Sequence, residues 1–594
     1  MARVSTVRSA TLRAPGAVDA AEADAPPSAS RVISLPPRRA VRLPLLLSLA
    51  LVGFGFVDPI RQSTPLLWSI FGAAAALTAW TAGLFLPAVG KSRVFRLEIS
   101  LRKQHYLQAC AQGSVLLYWG WYWPQAHEWA PLVAAQLLFA YGFDVLLAWS
   151  RQRVYQLGFG PFPVIFSINL FLWFKPEWFY LQFLMVALGF LAKQLFRWDK
   201  DGHRTHIFNP SAFTLAVFST ALLASGTTGI TWGPEIAITQ FYPPHIYVVL
   251  FLIGLPGQLF FGVTSMTMAA VVTTYLFSLL YFAVTGIFFF YDSYIPIAVF
   301  LGMHLLFTDP STAPRTELGR LIFGVLYGLS TVALYALLGN AGLPTFYDKL
   351  LQVPILNLSI KLIDRAARST ALGWLDPTAL GRSLAPRQRN LAYLSLWIIV
   401  FAAINAAQGV GDRHPGQWLP FWQRACAEGR PAACSFVSAR LATHCGEGSG
   451  WACNEVGIRR LAVSPSNAGQ STSRARPGSD APAASFERGC ELGFAPSCDN
   501  LLRVVSGSGA LDSAAPTLAD YPIILRGSKN QMIALTPSGL LAAACEQGWP
   551  GTCGPDDQAG AHLTPQVRLS ASARASVARR SYRNGAASAL VTPP

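Results

Sequence analysis

Eight cysteines occur as four Cys-x7-Cys pairs, Cys426/Cys434, Cys445/Cys453, Cys490/Cys498 and Cys545/Cys553. Ordered pairs of this kind form disulfides in an oxidising compartment, so the region holding them is expected beyond a cytoplasmic membrane. The spacing favours one link within each pair, although other connectivities are open. Two polar segments interrupt otherwise apolar sequence. The first runs Arg197-Trp-Asp-Lys-Asp-Gly-His-Arg-Thr-His-Ile-Phe-Asn-Pro210, and the second Phe307-Thr-Asp-Pro-Ser-Thr-Ala-Pro-Arg-Thr-Glu-Leu-Gly-Arg320. Asn209 or Ser211, and Thr308 or Asp309, are placed to cap helix starts beside a proline. Such segments are either capped loops or broken helices whose ends face a polar cavity and hold a cofactor or an ion. The Asn209 and Asp309 loops are expected to face each other. Glu317 and Arg320 have the spacing of a local helix pair that steadies a boundary. His203, His206, His245 and His304 match no zinc spacing, and no dinucleotide fingerprint, phosphate loop or nucleophile elbow is present.

These residues sit in a chain of 594 residues with 52% hydrophobic residues and only 13% charged ones, a balance that points to lipid rather than water as solvent. Runs of the length a span requires are expected at about 42–59, 66–88, 107–125, 131–149, 160–176, 179–196, 208–225, 244–261, 263–288, 294–308, 319–339, 345–361 and 390–409. The fifth, tenth and twelfth are interrupted by proline, glycine or charged residues. The net charge of +16 comes from short basic loops and tails, not from a basic stripe interleaved with aromatics, so no nucleic-acid partner is expected. Basic clusters at Lys91–Lys103, Arg151–Arg153, Lys193–Arg204, Arg315–Arg320 and Lys361–Arg389 fall on one side of thirteen spans. The positive-inside rule places that side, and the amino terminus, in the cytoplasm. The carboxyl terminus then lies outside a bacterial inner membrane, in agreement with the cysteines. Residues 1–40 contain too little apolar material to pack, and the first run, after Arg38, Arg39 and Arg42, reads as an anchor. Cys110 is expected to be an apolar packing residue.

Ile207-Phe-Asn-Pro-Ser-Ala-Phe213, Gly254-Leu-Pro-Gly-Gln-Leu-Phe-Phe-Gly-Val-Thr-Ser265, Phe307–Pro314 with Gly319-Arg-Leu-Ile-Phe-Gly324, and Leu351–Asp364 with its Asn357 occur in this order. Together they resemble the RnfD/NqrB family of membrane electron-transport subunits, over roughly residues 150–365. The resemblance implies a subunit of an electron-transport complex that moves sodium or protons, or of the divergent branch associated with enediyne-like biosynthesis. It implies partner redox subunits, and FMN, riboflavin or quinone as cofactors. Family members carry FMN on the Thr of a Ser-Gly-Ala-Thr segment. Here the outline is Ser225-Gly-Thr-Thr228, with Thr227 in place of Ala and closer to the preceding span, which makes Thr228 the nominal attachment residue and covalent FMN doubtful.

The cysteine-rich segments resemble Sel1-like helical repeats, with glycine in each interval turning the chain between two helices. That resemblance implies a surface for an extracytoplasmic protein partner. The fold class expected is all-α: a polytopic membrane bundle followed by an extracytoplasmic, disulfide-stapled helical-repeat domain. The expected divisions are an unpacked amino terminus at 1–40, extra membrane helices at 41–149, the family-like domain at 150–365, a cytoplasmic linker with a last span at 366–410, repeats at 418–555 with a linker at 461–486, and a tail at 556–594. The functional expectation is a membrane subunit of an electron-transport or redox-linked biosynthetic complex that positions flavin or quinone. The alternative is a nonredox transporter or scaffold.

Overall fold

The computed structural model describes residues 32–89, 93–200, 202–379, 384–407, 409–411, 414–463, 481–507, 510–525 and 536–553. The expected tail at 556–594 and the first 31 residues of the amino-terminal segment lie outside the described residues. Residues Val32–Leu35, expected to be unpacked, instead form strand β1, which pairs antiparallel with β2 (Phe95–Ile99). β2 also pairs in parallel with β3 (Tyr155–Leu157). A hairpin, β4 (Arg197–Lys200) with β5 (His203–His206), follows later in the chain. These short strands are the departures from an all-helical fold.

Up to Ala406 the described residues contain thirteen helices of nine residues or more, one in each expected apolar run. They are α1 (within Pro37–Phe56), α2 (Thr64–Val89), α3 (Lys103–Tyr122), α4 (Ala130–Ser150), α5 (Pro161–Asn169), α6 (Tyr180–Leu195), α7 (Pro210–Ser225), α8 (Ile246–Phe261), α9 (Thr264–Thr285), α10 (Ile297–Leu305), α11 (Glu317–Asn340), α12 (Asp348–Ala367) and α13 (Pro386–Ala406). Six of them, α1, α2, α4, α9, α11 and α13, are long and apolar enough to cross a membrane, which makes this a multi-pass membrane protein. Leu86 and Ile399 are exposed on two of these helices, as apolar residues can be where the solvent is lipid. Cys110 is likewise exposed on α3, contrary to the packing expected of it. An apolar thiol needs no protein interior where the surrounding solvent is itself apolar.

The fifth and tenth runs do not produce full helices. α5 and α10 have nine residues each, a rise of about 13 Å against a hydrocarbon core of about 30 Å. Around them the chain repeats a plan of two helices, a nine-residue helix and two more helices. α3, α4, α5, α6 and α7 form one half, and α8 to α12 the other. Matching neighbours pack in each: α5 on α3 and α7 as α10 on α8 and α12, and α6 on α7 as α11 on α12. The first helices of the halves, α3 and α8, pack together, and so do the last, α7 and α12.

A second compact unit comprises Phe241–His245, Tyr275–Pro296 and the chain from Ile404 onward. Its helices are α14 (Leu419–Ala427), α15 (Pro431–Gly446), α16 (Gly450–Val463), α17 (Pro482–Glu491), α18 (Ala495–Ser506) and α19 (Pro537–Glu546). All four expected disulfides are present, Cys426–Cys434, Cys445–Cys453, Cys490–Cys498 and Cys545–Cys553. Gly429, Gly448, Gly493 and Gly548 each stand three residues after the first cysteine of a pair, with φ between +81° and +103°. Only glycine takes that conformation without strain, and it ends each helix. In the turn after α15, Gly448 N–H donates to Cys445 O and Ser449 N–H to His444 O, the paired bonds of a Schellman cap. Trp422, Val437, Leu441 and Trp451 form the core, with Ile287 and Phe288 from the loop before α10 packed among them. The linker expected at 461–486 is shorter than its composition suggests. α16 extends through Val463 and α17 begins at Pro482.

Candidate functional site

Chain that leaves a helix inside a membrane must find partners for its backbone amides and carbonyls, because lipid supplies none. After α5 that task falls to carboxamides. Asn169 and Gln136 exchange hydrogen bonds of 3.1 and 2.9 Å, Asn169 also donates to Ile165 O, and Gln182 accepts from the Phe174 amide at 3.1 Å. All three carboxamides are buried.

After α10 the chain from Leu306 to Thr316 is held by side chains from four other elements. Asn209 donates to Leu306 O at 2.9 Å, and its own amide donates to Asn357 Oδ1. Asn357 donates in turn to Thr312 O, Lys200 Nζ to Ala313 O at 2.7 Å, and Arg320 Nε to Pro314 O. The Asp364 carboxylate accepts from the Arg315 and Thr316 amides and from Thr316 Oγ1. Arg320 also reaches Gly262 O at 2.6 Å and Glu317 Oε2 at 3.0 Å, so the pair expected to steady one boundary ties two helix junctions together.

The structure therefore brings Asn209 and Asp309 together. Asn209 Oδ1 caps α7 by accepting from the Ser211 and Ala212 amides, as its position before Pro210 suggests. Asp309 accepts from the Ser311 amide and Thr312 Oγ1, and its Oδ2 lies 3.3 Å from His206 Nε2. Both side chains are occupied in holding backbone. Thr228 is not part of this group. It opens a half-buried turn, Thr228–Ile230, past the other end of the sixteen-residue α7, about 24 Å along the helix from Asn209.

Beside this seam lies a small cavity lined in part by motif residues, Gly254, Gln258 and Thr308, and in part by Gln112 and His304, which lie outside the motifs. Gln112, Gln258 and His304 line it with Gly254, Leu305 and Thr308. Gln112 Nε2 donates to Ser167 Oγ of α5 at 2.8 Å and to Leu305 O of α10 at 3.1 Å, so one carboxamide joins the two short helices. Among the described residues its Oε1 has no partner, and neither do the two polar atoms of Gln258 or Nε2 of His304. These three side chains are 1–2% exposed. His304 Nδ1 lies 2.8 Å from Phe300 O, which assigns the proton to Nδ1 and leaves a lone pair on Nε2. Thr308 Oγ1 donates to His304 O. The cavity, about 20 Å³, exceeds the roughly 10–15 Å³ that one water-sized occupant needs. Among the described residues no group of three His, Cys, Asp or Glu is arranged to hold a metal ion. A polar side chain inside an apolar run is the signal by which Gln112 and Gln258 were findable. A larger open groove along α2, lined by Phe71, Ala74, Thr78 and Ala82, offers little besides apolar surface.

Compared with protein-family models, with curated proteins and with solved structures, the chain matches none of them. The likeness to electron-transport subunits thus rests on the four short segments alone.

Proposed function

We propose that this chain is the membrane subunit of a redox-linked assembly, and that its own part is to conduct a small polar or ionic species past the junction of its two short helices. The observation that carries the reading is the convergence of the four motif segments. Asn209, the turn at Gly262, the Leu306–Thr316 chain with Arg320, and Asn357 with Asp364 are all joined by hydrogen bonds at one seam. Discontinuous helices from two related halves are the means by which transporters hold substrates and coupling ions near the bilayer midplane. The two halves repeat one order of long and short helices, the kind of internal repeat from which such transporters are built. The paired disulfides and the basic loops support a second unit on the oxidising side and an amino terminus in the cytoplasm.

On this reading flavin or quinone serves the assembly, partner subunits supply the reductant, and Thr228 is the hydroxyl to examine for a phosphoester-linked flavin. A second reading, a nonredox transporter or scaffold, is favoured by the departure at Thr227. Flavin and quinone content of the purified full chain, with mass analysis of the peptide holding Thr228, separates them. A stoichiometric cofactor supports the redox-linked reading. Cofactor-free protein that still conducts in vesicles supports the second, and a cofactor-free chain with no conductance rejects both the redox and the transport roles.

A further inference from the structure

We infer that the cavity between Gln112, Gln258 and His304 is a binding site for one small hydrogen-bond donor of the ammonium–ammonia class. The inference rests on the conducting role proposed above and names the species for it. The unpartnered atoms are mostly acceptors: Gln112 Oε1, Gln258 Oε1 and His304 Nε2. The Gln112 orientation is imposed because its amide nitrogen is committed to Ser167 and Leu305. The imidazole orientation is imposed by Phe300 O. A ring of acceptors disfavours anions. The absence of any carboxylate from the lining disfavours divalent cations, which take charged oxygen ligands. Alkali ions also prefer an all-oxygen shell, whereas an imidazole lone pair is well matched to an N–H donor. The site adjoins the carboxyl end of α10, where helix carbonyls carry partial negative charge. Its volume admits one water-sized occupant. Gly254 keeps that space open, since a Cβ there would lie 3.1 Å from His304 Cδ2 and 3.2 Å from Gln258 Nε2.

The test is thermal unfolding of the full chain in lipid nanodiscs, titrated with ammonium, sodium, potassium or tetramethylammonium chloride at equal ionic strength. Ammonium alone should raise the transition, and saturably. Gln258→Met should weaken that response by about tenfold or more, as expected for losing a hydrogen bond to a charged group. If that variant does not fold, Gly254→Ala, which narrows the cavity and keeps its polar groups, should do the same. Raising the pH well below the ammonium pKa distinguishes the two members of the class, because it increases free ammonia and leaves ammonium nearly constant. An equal response to every salt, a sodium-selective response, or no response overturns the assignment. A sodium-selective response would leave the conducting role standing, while ammonium binding without conductance in vesicles would remove that role and keep the site.

Discussion

Asn209 joins two structural jobs that substitution can separate. Its Oδ1 caps α7 through the Ser211 and Ala212 amides, and its Nδ2 holds Leu306 O beyond the end of α10. Serine keeps an oxygen able to cap and loses the reach to Leu306. Asn209→Ser should therefore destabilise the membrane unit by about 1–3 kcal/mol, the penalty for a buried carbonyl left without a donor. Alanine removes the cap as well, at a further cost of about 0.5–2 kcal/mol. Asn209→Ala is thus expected to lose about 1.5–5 kcal/mol in total, the two terms being taken as additive. Reversible unfolding in mixed micelles, followed by tryptophan fluorescence, measures both. Equal stability of wild type and Asn209→Ser would refute the role assigned to the Leu306 contact, and equal stability of the two variants would refute the cap.

Gly324→Ala should disrupt the packing of α11 on α9, because the added Cβ would lie 2.2 Å from Met266 O; overpacking of this kind costs about 1–3 kcal/mol. Gly53→Ala, with nothing within 4 Å, is the control and should leave the melting temperature unchanged or slightly raised. Replacing both Cys490 and Cys498 by alanine opens a link with a sequence separation of 8 and should lower the stability of the second unit by about 2.5 kcal/mol on the chain-entropy account, read by pulse proteolysis of the full chain. Burial holds the Glu455 carboxyl above the ordinary range, against the opposing effects of Ser513 and Arg459. The folded unit therefore keeps a proton that the unfolded chain releases near pH 4.3, roughly, and stability falls as pH rises through that value toward the folded one. Glu455→Gln should flatten that fall in a pH series of denaturation midpoints, and an unchanged slope would show that Glu455 does not cause it.

Thirteen apolar runs were legible as helices because hydropathy reports the preferred solvent of a segment, and that preference is local. The turns of the second unit were legible for a similar reason. A glycine between paired cysteines states both the backbone conformation and the covalent link, as Gly448 between Cys445 and Cys453 illustrates. Asn209 before Pro210 announced a helix start in the same local way. Where α5 and α10 stop was decided elsewhere, by Gln136, Gln182, Asn209 and Asp364 arriving from distant helices with hydrogen bonds that lipid cannot offer. Tertiary structure also drew Ile287 and Phe288 into the core of the second unit, although their run looked like the end of a span. Gln112, Gln258 and His304 are far apart in sequence, and each alone is one polar residue in an apolar run. Only the packing of α3, α8 and α10 turns their lone pairs toward one space, because the direction of a side chain depends on what its other atoms are already bonded to.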